Sequence, residues 1–189
     1  MNLKMKNLNR LFFCILLIAS FSKEGYTCTI FCSKDSKNQI WVGNNEDRPF
    51  SFSNYINIFP KNENTNYGYY TLSYDSPEKG ENAFIEGGMN EAGLFFDMNS
   101  LDTSGKEYLI KNLSSKKSFP KGDDSIFSHI LSNFQIVQEV VDFFDIYWFD
   151  LGFKGAQMHV ADKFGTFGII GPDGSRILTS EKYQISTNY

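Results

Sequence analysis

The sequence predicts an α+β domain dominated by antiparallel strands. The chain holds 19 phenylalanines and 10 tyrosines in 189 residues, and aromatic side chains fit pleated surfaces. Short alternating runs recur between turns rich in Gly, Pro and Asn. One long stretch, from Asn133, repeats apolar residues at three- and four-residue spacing and reads as an amphipathic helix.

The first 27 residues stand apart. Lys4, Lys6 and Arg10 precede the apolar run LFFCILLIASF, Leu11 to Phe21, and a short polar stretch ends at Thr27. This is the pattern of a secretory signal peptide. The run is shorter than the ~20 residues a membrane-spanning helix needs. The expected organisation is therefore a signal peptide over 1–27 and one domain over 28–189, secreted or periplasmic. A lipid-anchored surface form is the lesser reading, because Gly25 stands where a lipid-attachment signal has an aliphatic residue. The full chain has a net charge of −4. Removing four basic residues and Glu24 with the leader takes this to about −7 by simple counting. Such a balance excludes the basic footprint of a nucleic-acid binder.

Cys28 to Ser33 alternates and reads as a strand. Ser33 to Asn38 is a polar turn, and Gln39 to Gly43 is a second strand. The resulting hairpin returns Asn44 to Asp47 towards Cys28. Tyr55 to Phe59 and Tyr67 to Tyr74 are strands on either side of a polar loop, Lys61 to Asn66. Asn82 to Glu86 leads into a strand–turn–strand over Gly87 to Asn99, whose glycines supply positive φ or close backbone approach. Leu101 to Asp124 has no clear period. Ser125 to Leu131 is a short helical segment. The main helix spans Asn133 to Phe144, with Phe134, Val137, Val140, Val141 and Phe144 on one face and Ser132 or Asn133 as N-cap. Strands follow at Gly155 to Ala161, Phe164 to Ile170, Arg176 to Leu178 and Tyr183 to Thr187.

The chemistry concentrates at Cys28. As a mature first residue it carries a thiol and an α-amine, with ordinary pKa values of ~8.5 and ~7.7–8.0. A proton can pass between them near neutral pH, so the amine can serve as base for the nucleophile. Asp47 is a candidate partner for the amine or thiol, and a solvated turn before Pro49 is an equally good reading of Asn44 to Asp47. Asn99 is a candidate that its strand carries to a site. Cys28 and Cys32 lie ~13 Å apart on one strand, beyond the ~7 Å between Cα atoms that a disulfide allows. No further Cys or paired His supports a zinc site. His129 and His159 read as core or surface residues.

Four short stretches, in this order and spacing, carry a resemblance. They are Cys28-Thr29, Gly43-Asn44-Asn45-Glu46-Asp47, Gly88-Met89-Asn90-Glu91-Ala92-Gly93-Leu94 and Thr187-Asn188-Tyr189. The chain resembles the choloylglycine hydrolase and penicillin V acylase family, linear amide hydrolases of the N-terminal nucleophile type. The resemblance implies a four-layer α-β-β-α sandwich, incomplete at the C-terminus, because later family strands and a later arginine would lie beyond Tyr189. It implies that Cys28 is the nucleophile, that Asp47 holds the nucleophile region, and that Asn188 supplies the oxyanion hole. Asn99 is the nearest match to a second family asparagine, one residue short in spacing. Asn44 stands at a substrate-contacting position where many members have arginine.

The implied substrate is a small-molecule amide with an apolar acyl group, such as an N-acyl amino acid, a conjugated bile acid or a penicillin V type compound. Hydrolysis and acyl transfer both stay open, as does homo-oligomerisation. The resemblance implies no cofactor or metal. The alternatives are an inactive truncated relative and a surface-anchored binding protein.

Overall fold

A computed structural model describes residues 28–47, 53–76, 80–101, 116–122, 125–148, 156–172 and 176–187. The leader and Asn188 lie outside the described residues, as does most of the loop expected over 101–124.

Twelve strands and two helices are described. The strands are β1 (Thr29–Lys34), β2 (Ile40–Asn45), β3 (Asn54–Phe59), β4 (Tyr69–Ser76), β5 (Gly80–Asn90), β6 (Phe95–Ser100), β7 (Lys117–Ser118), β8 (Tyr147–Trp148), β9 (Ala156–Ala161), β10 (Phe167–Ile170), β11 (Arg176–Thr179) and β12 (Tyr183–Thr187). The helices are α1 (Ile126–Asn133) and α2 (Val137–Ile146). One sheet has the order β11-β10-β9-β6-β5-β4-β3 and the other β12-β1-β2. Both are antiparallel throughout. The short pair β7–β8 is parallel.

Alternation along β6 explains the layering. Phe96 and Met98 belong to a large core with Phe127, Ile130, Val140 and Phe144 of the helices. Phe95 belongs to a second core with Ile30 and Cys32 of β1, Ala161 and Phe167. Successive strand residues point to opposite faces. The seven-stranded sheet is therefore covered by helices on one side and by the three-stranded sheet on the other. The outward face of the three-stranded sheet shows Phe31, Trp41, Tyr183 and Ile185 to solvent, so among the described residues three of the four layers are present.

The Gly-Met-Asn-Glu stretch locks these layers together. Asn90 is buried. Its Nδ2 donates to the carbonyls of Leu131 and Phe134, at 2.8 and 2.7 Å. Its Oδ1 accepts from the Leu94 amide at 3.0 Å. Gly93 turns the chain with φ +85°, and a Cβ on Gly88 would stand 2.4 Å from the Tyr70 carbonyl oxygen. Gly87 and Gly88 lie inside β5, which runs unbroken to Asn90.

The main helix differs from its expected limits. Asn133 ends α1 instead of opening α2. Its Nδ2 turns back to the His129 carbonyl at 2.9 Å, and Phe134 is extended at φ −99°, ψ 155°. Glu139 then accepts from the amides of Gln135 and Ile136 at 2.7 and 3.1 Å, which starts α2 at Val137. His129 packs against Phe119, Phe134 and Phe143. Burial, then the nearby Lys121, lowers its pKa.

Candidate active site

The site lies between the sheets, at the end where β1 begins. The hairpin register sets Thr29 opposite Asn45 and Ile30 opposite Asn44. Cys28 and Glu46 stand one residue beyond the end of this paired register. The Cys28 thiol donates to Glu46 Oε2 at 2.9 Å, and Cys28 is 8% exposed. Asn44 Nδ2 donates to Glu46 Oε1 and, at 3.0 Å, to Asp97 Oδ1 on β6. One amide thus bridges two carboxylates and joins the hairpin to the large sheet. Asp97 is 1% exposed, and its Oδ1 also accepts from the Met98 amide at 2.7 Å.

Two buried groups with unused hydrogen-bonding capacity share this inter-sheet face. Asn99, two residues beyond Asp97 on β6, is 2% exposed, and neither Nδ2 nor Oδ1 has a hydrogen-bond partner among the described residues. His159 stands opposite Asp97 in the β6–β9 register. It is 1% exposed, with Nε2 unpartnered among the described residues. Unmet buried polar groups are uncommon in folded proteins. Register fixes where Asn99 lies. It pairs with Gln157, whose Nε2 donates to Ser186 Oγ at 2.8 Å, and Ser186 pairs with Ile30. Asn99 is therefore at the Cys28 end of the sandwich.

Burial dominates the electrostatics. It pushes the Cys32 thiol up to about 12, and Asp97 adds to the effect. Burial, then Asp97, also raises the Tyr70 phenol. Burial alone pushes His159 down to about 4, so this imidazole is neutral near pH 7. Cys28, just before β1, and Cys32, within it, are both buried, and neither is in a disulfide. Among the described residues no group of three His, Cys, Asp or Glu side chains could hold a metal ion, and no helix is long and apolar enough to cross a membrane.

Of the residues singled out in the sequence, the fold brings Cys28, Asn44 and Asn99 to one face of the sandwich. Asp47 is exposed, and its neighbour Glu46 meets the thiol. Sequence reading missed Glu46 and Asp97. The hairpin register could have found Glu46, because it leaves the residue after Asn45 opposite the one before Thr29. An apolar groove of about 720 Å³ lies along β3 to β5, lined by Ile56, Ile58, Tyr70, Leu72 and Met89 among others, and none of the site residues around Cys28 lines it. Leu72 pairs with Gly87, which pairs with Asp97, so the groove begins at the level of Asp97 and runs away from Cys28.

No family model and no curated protein matches the sequence. Solved structures do match. Penicillin V acylase from Agrobacterium tumefaciens superposes with a TM-score of 0.56 at 19% identity, over 83% of this chain and 51% of that one. A variant of conjugated bile acid hydrolase from Clostridium perfringens gives 0.56 at 18% identity, over 85% and 51%. The chain spans about half the length of these structures. Over that half, the chain has the α+β sandwich fold of penicillin V acylase and conjugated bile acid hydrolase.

Proposed function

We propose that the protein hydrolyses a linear, non-peptide amide C–N bond through Cys28 as an N-terminal nucleophile. The observation that carries this is the placement of Cys28. It opens the first strand of a fold shared with two amide hydrolases, and its thiol points into a polar inter-sheet site. In this reading, removal of residues 1–27 during secretion frees the Cys28 α-amine.

The thiol passes its proton to that amine, and the sulfur attacks the amide carbonyl. Asp47 orients the amine. The developing oxyanion accepts hydrogen bonds from the side-chain amides of Asn188 and Asn99, each a kind of donor worth ~10²–10³ in rate. The unused Nδ2 of Asn99 supports its part. The ammonium returns the proton to the departing nitrogen as the C–N bond breaks. Water then cleaves the acyl thioester and regenerates the thiol. The apolar groove along β3 to β5 supports an apolar acyl half.

The test is turnover of phenoxyacetyl and fatty-acyl amides by the secreted protein, with its N-terminus established by intact mass. A start at Cys28 is expected. Cys28→Ala is expected to leave less than about one part in a hundred of the wild-type rate, the scale of one catalytic group. Greater residual activity in that variant overturns the assignment.

A further inference from the structure

A carboxylate in contact with a nucleophilic sulfur constrains the substrate. Both Glu46 oxygens are engaged, Oε2 by the Cys28 thiol and Oε1 by Asn44. Asn44 is itself held by Asp97, which is fixed in β6 by its position and by the Met98 amide. Glu46 is half-buried and Asn44 exposed, so the carboxylate stands at the rim of the site, held there by these two hydrogen bonds. Any amide whose carbonyl carbon reaches the sulfur brings the rest of the substrate within a few ångströms of it, since the thiol–carboxylate distance is 2.9 Å. Asp97, on the facing sheet, adds charge of the same sign. The Asn44 amide that bridges the two carboxylates presents both of them with a donor and brings no charge of its own. On the same face, Asn99 and the Nε2 of His159 are buried without a hydrogen-bond partner among the described residues, which leaves polar capacity for a substrate group.

We infer that Glu46 is a specificity-determining residue. It selects amides whose amine half is cationic or rich in hydrogen-bond donors, and it disfavours amine halves that carry a carboxylate or sulfonate. This rests on Cys28 being the nucleophile. Like charges brought together oppose binding, which is how unwanted partners are rejected. The nitrogen of the amine half carries a positive charge only while it is protonated in the tetrahedral intermediate, and a carboxylate beside it favours that state before the neutral amine leaves.

The test reads the charge felt at the sulfur without requiring turnover. Full-length protein is treated with two methanethiosulfonates of matched size, one ending in trimethylammonium and one in sulfonate. Peptide mapping and the Cys28→Ala variant identify the modified thiol. Relative to free cysteine, Cys28 is expected to favour the cationic reagent by about tenfold or more. Glu46→Gln is expected to remove most of that preference and Asp97→Asn a smaller part. A wild-type ratio equal to that of free cysteine overturns the proposal.

A second arm compares hydrolysis of phenoxyacetyl glycine with that of mono-phenoxyacetyl ethylenediamine. The cationic amide is expected to be favoured about tenfold in kcat/KM, the effect of ~1.4 kcal/mol, and Glu46→Gln to bring the ratio towards one. Equal turnover of both, lost in Cys28→Ala, overturns the specificity proposal and leaves the hydrolase intact. A cationic labelling preference that Glu46→Gln abolishes, without turnover of either amide, supports the charge role of Glu46 and counts against the hydrolase.

Discussion

Two cysteines four residues apart on one strand have opposite prospects. Cys28 sits at the strand start against Glu46, where the inter-sheet space opens. Cys32 is 1% exposed, packed with Ile30, Phe95 and Phe167. With its pKa pushed up to about 12, its thiolate fraction at pH 8 is on the order of 10⁻⁴. Native protein treated with iodoacetamide at pH 8 is therefore expected to be alkylated at Cys28 and spared at Cys32, with both modified in urea. Mass spectrometry of the two peptides checks this, and equal labelling of the native protein would contradict the packing of β1. The alternation of this strand was legible in the sequence, and so was the separation of the two thiols. Which acid meets Cys28 was not, because Asn44 to Asp47 offers two carboxylates and the choice depends on the number of residues in the turn. Asp97 was hidden for a different reason. A carboxylate in an apolar strand is tolerated only through partners that a tertiary fold supplies.

At the scale of elements, Asp162 connects the β9–β10 turn to a helix. Its Oδ1 accepts from the amides of Phe164 and Thr166, at 3.0 and 3.1 Å, and its Oδ2 from the Val137 amide at the start of α2, at 3.0 Å. The negative charge also faces the positive end of the helix dipole. Asp162→Ala strands three amides, two of them in a tight turn and one buried. It is expected to cost about 3 kcal/mol, given ~1–3 for each buried group left unsatisfied. The urea midpoint measures this, and a loss below about 1 kcal/mol, the worth of one ordinary hydrogen bond, would show that the connection is not shared. Strand positions were largely readable here, and Gly93 adopts positive φ in the expected strand–turn–strand, whereas the strand expected from Phe164 begins only at Phe167, after a turn at Gly165. The limits of α2 were not. Phe134 keeps the helical spacing and belongs to neither helix, because Asn90 captures its carbonyl from a strand more than forty residues away. A period cannot report a hydrogen bond that arrives from elsewhere in the chain.

For the whole molecule, the sandwich stores a pH dependence in His159. Its folded pKa, about 4, lies below the ordinary value of 6.5. Above pH 6.5 the imidazole is neutral whether folded or not, and no stability is lost. As pH falls below 6.5 the unfolded chain takes up a proton that the folded one refuses, so stability drops until pH 4, where both are protonated. The loss is on the order of 3 kcal/mol across that window. His159→Gln is expected to flatten stability between pH 6.5 and 4, as read by urea midpoints at several pH values. A slope unchanged by the substitution would assign the acid sensitivity to groups other than His159. The overall layering followed from the resemblance, and the strand content from composition. The order of strands in each sheet came from neither, because strands distant in sequence, such as β6 and β9, pair at the centre.

The pairing of β1 with β12 also sets a schedule. The strand that carries Cys28 is synthesised first among those described, yet one of its neighbours is the last of them. Contacts so remote in sequence form late, because the intervening chain must first be brought to order. The large sheet and its helices can condense while β1 holds only its hairpin partner. The sulfur meets its final surroundings once β12 docks. Under the proposed function, a chain that has not yet docked β12 would hold Cys28 outside its assembled site.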